Sequence, residues 1–112
     1  MLAISAAKLG FAPVFGVDEA EAAVEATRRN AALNGVQVDV WEADALQGAL
    51  PAADVVLANL DLAALGALES KLECRLAVTS GYDERRPPPF TGFRHLGRRS
   101  REEWAADLFT RE

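Results

Sequence analysis

The sequence predicts an α/β fold with a mostly parallel sheet, and three observations support this class. Short apolar runs alternate with stretches of helical periodicity between Leu2 and Ser80. The run at residues 11–17 is apolar on both faces, which is typical of parallel strands that are covered by helices. Polar residues such as Asp18, Asp44 and Asn59 follow the runs. Repeated strand-to-helix alternation predicts right-handed crossovers, with ligands bound at the carboxyl ends of the strands.

The elements of the first half follow from apolar spacing and from residues that end helices. Residues 2–9 predict a short buried helix, which Gly10 ends. Residues 11–17 predict a strand, and residues 20–33 predict an amphipathic helix that Asn34-Gly35 closes. The first helix has no capping residue, loop or strand in front of it. We therefore expect a folding unit that lacks its N-terminal part.

The second half begins with two predicted strands, residues 36–43 and residues 54–59. Asp61 is expected to cap the next helix, and that helix has an apolar face formed by Leu62, Leu65, Leu68 and Leu72. Residues 76–79 predict a fourth strand that ends at Ser80-Gly81. A proline-rich surface loop follows. Residues 92–98 and 104–110 then predict an antiparallel hairpin at the sheet edge, joined by a polar turn.

Composition limits the class of protein. A chain of 112 residues predicts one domain, residues 1–112, and its formal net charge of −5 disfavours nucleic acid as the default partner. The single cysteine, Cys74, suits a reducing compartment. No apolar run approaches the roughly 20 residues that cross a bilayer. We therefore expect a cytoplasmic protein with no membrane partner.

Three polar residues are the candidates for a binding site. Asp18, Asp44 and Asn59 each stand at or just past the end of a successive predicted strand, so they should open onto one edge of the sheet. Polar groups placed by separate strands can hold one ligand from different sides. The alternative is that the two aspartates only cap or solvate the starts of loops.

Other chemistry finds little support in the sequence. His95 and Cys74 have no zinc-ligand spacing, so no metal site is expected, and no serine lies on a nucleophile elbow. His95 is interpreted as a half-exposed strand residue, and Trp41 and Trp104 as packing residues. The basic stretch of residues 98–101 is interpreted as a solvated turn, with contact to RNA or an acidic partner as the alternative.

Several segments together resemble one class of enzyme. They are LAISAAKLG (residues 2–10), VFGVD (14–18), EAAVEA (21–26), NAALNGV (30–36), DVVLANL (54–60) and WAADLF (104–109). They look like class I S-adenosylmethionine-dependent methyltransferases, which have a Rossmann-like sheet. More narrowly, they resemble the ribosomal protein L11 methyltransferase family, which trimethylates amino groups of a large-subunit ribosomal protein.

The resemblance implies a role for each candidate residue. Asp18 would accept hydrogen bonds from both ribose hydroxyls of S-adenosylmethionine, and Asp44 would bind the adenine amino group with the Ala45 amide nearby. Asn59 would lie beside the methionine end of the cofactor and the incoming amine, as the catalytic residue. A ribosomal protein would be the substrate, and no metal would be needed.

The sequence also departs from the family pattern. The glycine-rich loop and the first strand of the family should lie immediately before Leu2, where this sequence begins. We therefore expect impaired cofactor binding and activity, and possible self-association through exposed sheet edges. Two alternatives to the enzyme stay open: a non-catalytic remnant that acts as a binding or scaffold module, and a fragment of a dinucleotide-binding oxidoreductase.

Overall fold

A computed structural model describes residues 2–111 of the chain. In chain order, the described elements are α1 (Leu2–Lys8), β1 (Phe15–Asp18), α2 (Glu21–Leu33), β2 (Asp39–Glu42), β3 (Val55–Asn59), α3 (Leu62–Glu69), β4 (Leu76–Asp83), β5 (Arg94–Arg101) and β6 (Trp104–Thr110). They fall into two compact units, Met1–Gly48 and Ala49–Glu112. Each unit is described by itself below, and the expectation of a single domain stays a prediction.

The first unit is a parallel pair of strands with two helices. β1 and β2 are in register from Phe15 opposite Asp39 to Asp18 opposite Glu42. Both strands are shorter than the sequence predicts. Pro13 has no N–H to contribute at the start of the first strand. The N–H of Val36 bonds to the carbonyl of Ala31, so it closes the end of α2 and not the sheet.

The second unit contains a four-stranded mixed sheet in the order β3-β4-β6-β5. β3 and β4 are parallel, whereas β4 with β6 and β5 with β6 are antiparallel pairs. The predicted α/β class, with its antiparallel C-terminal hairpin, is confirmed. The aromatic rings of Phe90, Phe93 and Phe109 pack together in the core of this unit.

Helix α3 begins and packs as its sequence predicts. The Asp61 carboxylate accepts a hydrogen bond of 2.8 Å from the backbone N–H of Ala64, which is the expected N-terminal cap. Leu65, Leu68 and Leu72 of the predicted apolar face are buried. Gly66 lies within the helix and is exposed, and a Cβ added to it would meet no atom within 4 Å.

Replacing Gly66 with alanine should therefore stabilise the chain. Alanine loses less backbone entropy than glycine on entering a helix, so the free energy of unfolding should rise by about 0.5–1 kcal/mol. Urea denaturation monitored by circular dichroism measures this change. The matched control is Ala63→Gly on the exposed side of the same helix, which should lower stability by a similar amount. An unchanged denaturation midpoint for both variants would contradict the helix as described.

The C-terminal strands correct two sequence interpretations. β4 does not end at residue 79 but continues to Asp83, past an irregularity between Ser80 and Tyr82. Residues 98–101, interpreted as a solvated turn, belong to strand β5. The turn is instead Glu102-Glu103, with φ angles of 51° and 72°. Tight hairpin turns of this geometry favour Asn and Gly, so a pair of glutamates gives no turn signal.

The two tryptophans differ from each other. Trp41 is half-buried and packs edge-on against Phe15, with ring centroids 6.1 Å apart, as a packing residue should. Trp104 is 60% exposed, so its interpretation as a packing residue is wrong. It lies at the first position of β6, directly after the turn.

Candidate functional site

Asp18 is the last residue of β1 and its side chain is exposed. The carboxylate Oδ1 accepts a hydrogen bond of 2.9 Å from the backbone N–H of Ala20, at the entrance to α2. Its backbone carbonyl accepts a second hydrogen bond of 2.9 Å from the N–H of Ala43, just past the end of β2. The carboxylate is therefore held at the carboxyl end of the parallel pair and faces solvent.

Asp44 lies two residues beyond the end of β2, at the same edge as Asp18. Its Oδ1 accepts a hydrogen bond of 2.9 Å from the N–H of Leu46, which forms a local turn. Asp44 and the following Ala45 are half-buried. The first unit thus places Asp18 and Asp44 at neighbouring strand ends, as the α/β pattern predicts, and Ala45 follows Asp44 directly.

The local hydrogen bonds fit both interpretations of the two aspartates. In each carboxylate one oxygen is engaged by a backbone N–H two residues further along the chain. Such a bond caps a loop, and it also fixes the direction of a carboxylate that has a second oxygen for a ligand. Whether they bind a ligand stays a prediction.

Asn59, the third candidate, is the last residue of β3 in the second unit, and it is exposed. Its Oδ1 lies 3.4 Å from the Ser80 hydroxyl, which donates a long hydrogen bond across the parallel pair. Gly81 lies directly beneath this side chain, because a Cβ there would be 2.7 Å from Asn59 Oδ1. Asn59 belongs to the other unit, so its predicted convergence with the two aspartates stays a prediction.

A concave region of the first unit lies elsewhere. It is lined by Val14 and Asp39, at the amino ends of the two strands, and by residues of α2 including Arg28. It contains none of the predicted site residues. The candidate site is therefore defined by the polar residues at the strand ends and not by a cavity.

The sequence interpretation missed a buried polar cluster in the second unit. Asp107 of β6 is 1% exposed, and its carboxylate receives two hydrogen bonds of 2.8 Å from the Arg98 guanidinium. The Tyr82 hydroxyl donates a third of 2.5 Å, and His95 Nε2 lies 2.8 Å from Oδ1. A sequence signal exists, because Asp107 alternates with the apolar residues Ala105 and Phe109 on the buried face of a strand.

Hydrogen bonding sets the protonation of this cluster. Burial by itself would raise the pKa of Asp107, but the hydrogen bonds to its carboxylate outweigh burial, so the pKa lies below its ordinary value. Burial and the hydrogen bond to Asp107 raise the pKa of Tyr82 to about 12. Arg98 also donates to the carbonyl oxygens of Glu84 and Arg86, at 2.9 and 2.8 Å. The cluster thus fastens the proline-rich loop to the sheet.

The cluster also decides the role of His95. The imidazole is a half-exposed strand residue, as the sequence predicts. It is held by Asp107, and its ring is tilted by 57° from that of Phe109, with centroids 5.4 Å apart. Among residues 2–111, no group of three or more His, Cys, Asp or Glu side chains is arranged to hold a metal ion.

No helix among residues 2–111 is both long enough and apolar enough to cross a membrane.

Comparison with known proteins identifies the family of the chain. The sequence model of the family described as ribosomal protein L11 methyltransferase (PrmA) matches residues 1–82. The chain belongs to the ribosomal protein L11 methyltransferase family. The resemblance in the segments quoted above is thereby confirmed.

The curated relatives are longer than this chain. The ribosomal protein L11 methyltransferase of Desulforamulus reducens is 35% identical over 121 residues, which cover 96% of this chain and 39% of that protein. That of Chromobacterium violaceum is 48% identical over 62 residues, which cover 54% of this chain and 20% of that protein. The chain therefore spans about two fifths of the length of the first relative.

Solved structures of low sequence identity share the fold. A conserved hypothetical protein of Streptococcus pyogenes matches 99% of this chain and 79% of its own, with a TM-score of 0.79 and 16% identity. The 16S rRNA methyltransferase RmtF, solved in complex with S-adenosyl-L-homocysteine, matches 99% of this chain and 52% of its own, with a TM-score of 0.76 and 15% identity. The methyltransferase fold predicted from the sequence is confirmed.

Proposed function

We propose that this chain is part of an S-adenosylmethionine-dependent methyltransferase that acts on amino groups of a ribosomal protein. Membership of the family supports the reaction class. The observation that carries the proposal is the position of Asp18 and Asp44 at the carboxyl ends of two adjacent parallel strands, where α/β sheets bind nucleotides. A cytoplasmic location, where ribosomal proteins are made, belongs to the same proposal.

The two carboxylates suit different parts of an adenosyl group. The exposed Asp18 carboxylate is oriented by the Ala20 N–H, and a vicinal diol offers two donors to a carboxylate. Asp44, which is half-buried and oriented by the Leu46 N–H, suits the exocyclic amine of an adenine. The backbone at Ala45 follows directly and would border the base.

Asn59 is proposed to hold the acceptor amine. When bound, S-adenosylmethionine would supply a methyl group on a positively charged sulfur. A neutral amine would attack the methyl carbon in line as the carbon–sulfur bond breaks, and S-adenosylhomocysteine would leave. A lysine amine has a pKa of about 10.4 in water, so it must lose its proton first. The side-chain carbonyl of Asn59, exposed at the end of β3, can accept a hydrogen bond from the neutral amine and orient its lone pair.

Replacing Asp18 with asparagine distinguishes two roles of this residue: binding the ribose of the cofactor, or only capping the start of α2. Asparagine keeps the oxygen that accepts from the Ala20 N–H, but it loses the negative charge and the second acceptor. If Asp18 binds the ribose, the affinity for S-adenosylhomocysteine should fall about tenfold or more, because hydrogen bonds to charged groups contribute about 1.5–3 kcal/mol. A nuclear magnetic resonance titration of backbone amides at millimolar ligand measures the affinity even where binding is weak.

The matched control is Asp39→Asn, which removes the same charge at the opposite end of β2 and should leave the affinity unchanged. Equal affinities of wild type and Asp18→Asn would show that Asp18 is a cap only. Changes in amide chemical shift on addition of S-adenosylhomocysteine that are confined to residues remote from Asp18 and Asp44 would equally contradict the proposed site. The weak binding expected from the sequence also stays a prediction, and micromolar affinity of the wild-type chain would contradict it.

The family match lends no support to the two alternatives, an oxidoreductase fragment and a non-catalytic scaffold. The same titration with NADH tests the oxidoreductase alternative. If the amide signals of Asp18 and Asp44 shifted with NADH and not with S-adenosylhomocysteine, the oxidoreductase alternative would replace the methyltransferase proposal. Self-association through sheet edges, also expected from the sequence, stays a prediction that sedimentation of the chain can test.

A further inference from the structure

The alternation of side chains along β5 and β6 determines which residues of the hairpin point away from the core. In β6, Ala105, Asp107 and Phe109 are buried, so the alternate residues point to the other side of the sheet. The β5 residues paired with those outward residues share their side. They are Arg94 opposite Thr110, Gly97 opposite Leu108, Arg99 opposite Ala106, and Arg101 opposite Trp104. We call this surface, formed by Arg94, Arg99, Arg101, Trp104 and Leu108, the arginine face.

The side chains of the arginine face are available to a partner. Arg94, Arg99 and Arg101 are exposed, and within residues 2–111 their guanidinium groups form no side-chain hydrogen bond or ion pair. Arg98, on the opposite side of the strand, is by contrast committed to Asp107. Asp83, which lies opposite Trp104, is paired with Arg85 at 2.9 Å, and the exposed Glu102 and Glu103 of the turn lie at the end of the face beside Arg101 and Trp104. The three arginines outnumber the two turn glutamates, so the face with its turn has a net positive charge.

The β6 side of the arginine face is apolar and exposed. Trp104 is 60% exposed and Leu108 is 38% exposed. Arg101 lies directly opposite Trp104 and Arg99 opposite Ala106, whereas Gly97 lies opposite Leu108, where an added Cβ would meet no atom within 4 Å. The exposed indole ring is thus accessible to a planar group, with Arg101 directly across the strand pair from it.

We propose that the arginine face binds single-stranded nucleic acid, with its phosphates on the arginines and a base stacked on Trp104. Guanidinium groups match phosphate oxygens through paired hydrogen bonds. A cationic surface with an exposed aromatic ring on a sheet is the arrangement by which proteins hold single strands with little sequence preference. The proposal is independent of the methyl-transfer site, since it uses no residue of that site.

Two simpler interpretations leave part of this surface unexplained. Charged residues on an edge strand protect it from pairing with other chains, but this protection does not require an exposed tryptophan. An acidic protein segment would pair with the arginines and would likewise leave the ring of Trp104 in water. The net charge of −5 does not exclude the proposal, because screening over about 10 Å makes the local charge decisive.

Fluorescence anisotropy with labelled oligouridylate and oligothymidylate tests the proposal on the full chain. The logarithm of the binding constant should fall with the logarithm of salt concentration with a slope of about −2, since each phosphate contact to a single strand contributes about −0.7. The Arg99→Ala/Arg101→Ala variant should reduce the slope to about −0.7 and weaken binding. Trp104→Ala should weaken binding about fivefold or more, and Trp104→Phe should restore part of the affinity.

Matched controls are Arg29→Ala, which removes an exposed arginine of the first unit, and Trp41→Phe. Neither should change the affinity for the oligonucleotides. Preference for one of the two probes would decide between RNA and DNA. Absence of binding at low salt, or an affinity that Trp104→Ala leaves unchanged, would overturn the proposal. Competition by polyglutamate together with such insensitivity to Trp104→Ala would assign the face to an acidic protein. Unchanged S-adenosylhomocysteine binding in the arginine variant would keep the two proposals separate.

Discussion

Replacing Asp107 with alanine is expected to lower the free energy of unfolding by about 3 kcal/mol. Removing one partner of a buried ion pair leaves the other charge uncompensated, which costs about 3–5 kcal/mol. The lower end applies here because the Arg98 side chain is 22% exposed and can regain water. The Tyr82 hydroxyl, which donates to the same carboxylate, also loses its acceptor. Urea denaturation of the full chain, followed by circular dichroism, measures the loss.

Two comparisons make the Asp107 result specific. Asp83→Ala breaks an exposed pair with Arg85 in the same sheet and should cause a much smaller loss. Because the folded pKa of Asp107 is lowered, its stabilisation is present above the unfolded pKa of about 4 and is lost as pH falls through the folded value. The difference between wild type and Asp107→Ala should therefore shrink in acid. A loss no greater than that of Asp83→Ala at neutral pH would contradict the buried cluster.

Replacing Gly81 with alanine should be the second most damaging change. The residue has a φ of +106°, and an added Cβ would lie 2.6 Å from the Leu60 carbonyl oxygen and 2.7 Å from Asn59 Oδ1. Backbone strain costs about 1–3 kcal/mol, and overpacking adds a similar amount. We expect a loss of at least about 2 kcal/mol, again by urea denaturation, together with displacement of the proposed amine-binding side chain.

Two glycines serve as controls for Gly81. Gly35 has a φ of +67° and open space around it, so Gly35→Ala isolates the backbone strain and should cost about 1 kcal/mol. Gly97 has no positive φ and open space, so Gly97→Ala should change stability by less than about 0.5 kcal/mol. If Gly81→Ala and Gly35→Ala had equal effects, the close approach of Gly81 to Leu60 and Asn59 would be wrong.

Local sequence chemistry was sufficient to predict part of the candidate site. An aspartate at the end of an apolar run, followed by a helix, placed Asp18 correctly, and Asp61 was correctly predicted as a helix cap. Strand ends read from sequence were less accurate. Pro13 and the hydrogen bond from Val36 to Ala31 shortened two strands, because a backbone group that is absent or already engaged cannot join a sheet.

What the sequence by itself determined is therefore the α/β class, the order of helices and strands, and the polar residues at the strand ends, because all of these depend on periodicity and on neighbours in the chain. Only the tertiary structure decided the partners across strands. The pairing of β5 with β6 places Arg98 beside Asp107 and Glu102-Glu103 in the turn. It also leaves Trp104 exposed on the same side of the hairpin as three arginines. Register between strands is a long-range property, so local propensity does not encode it.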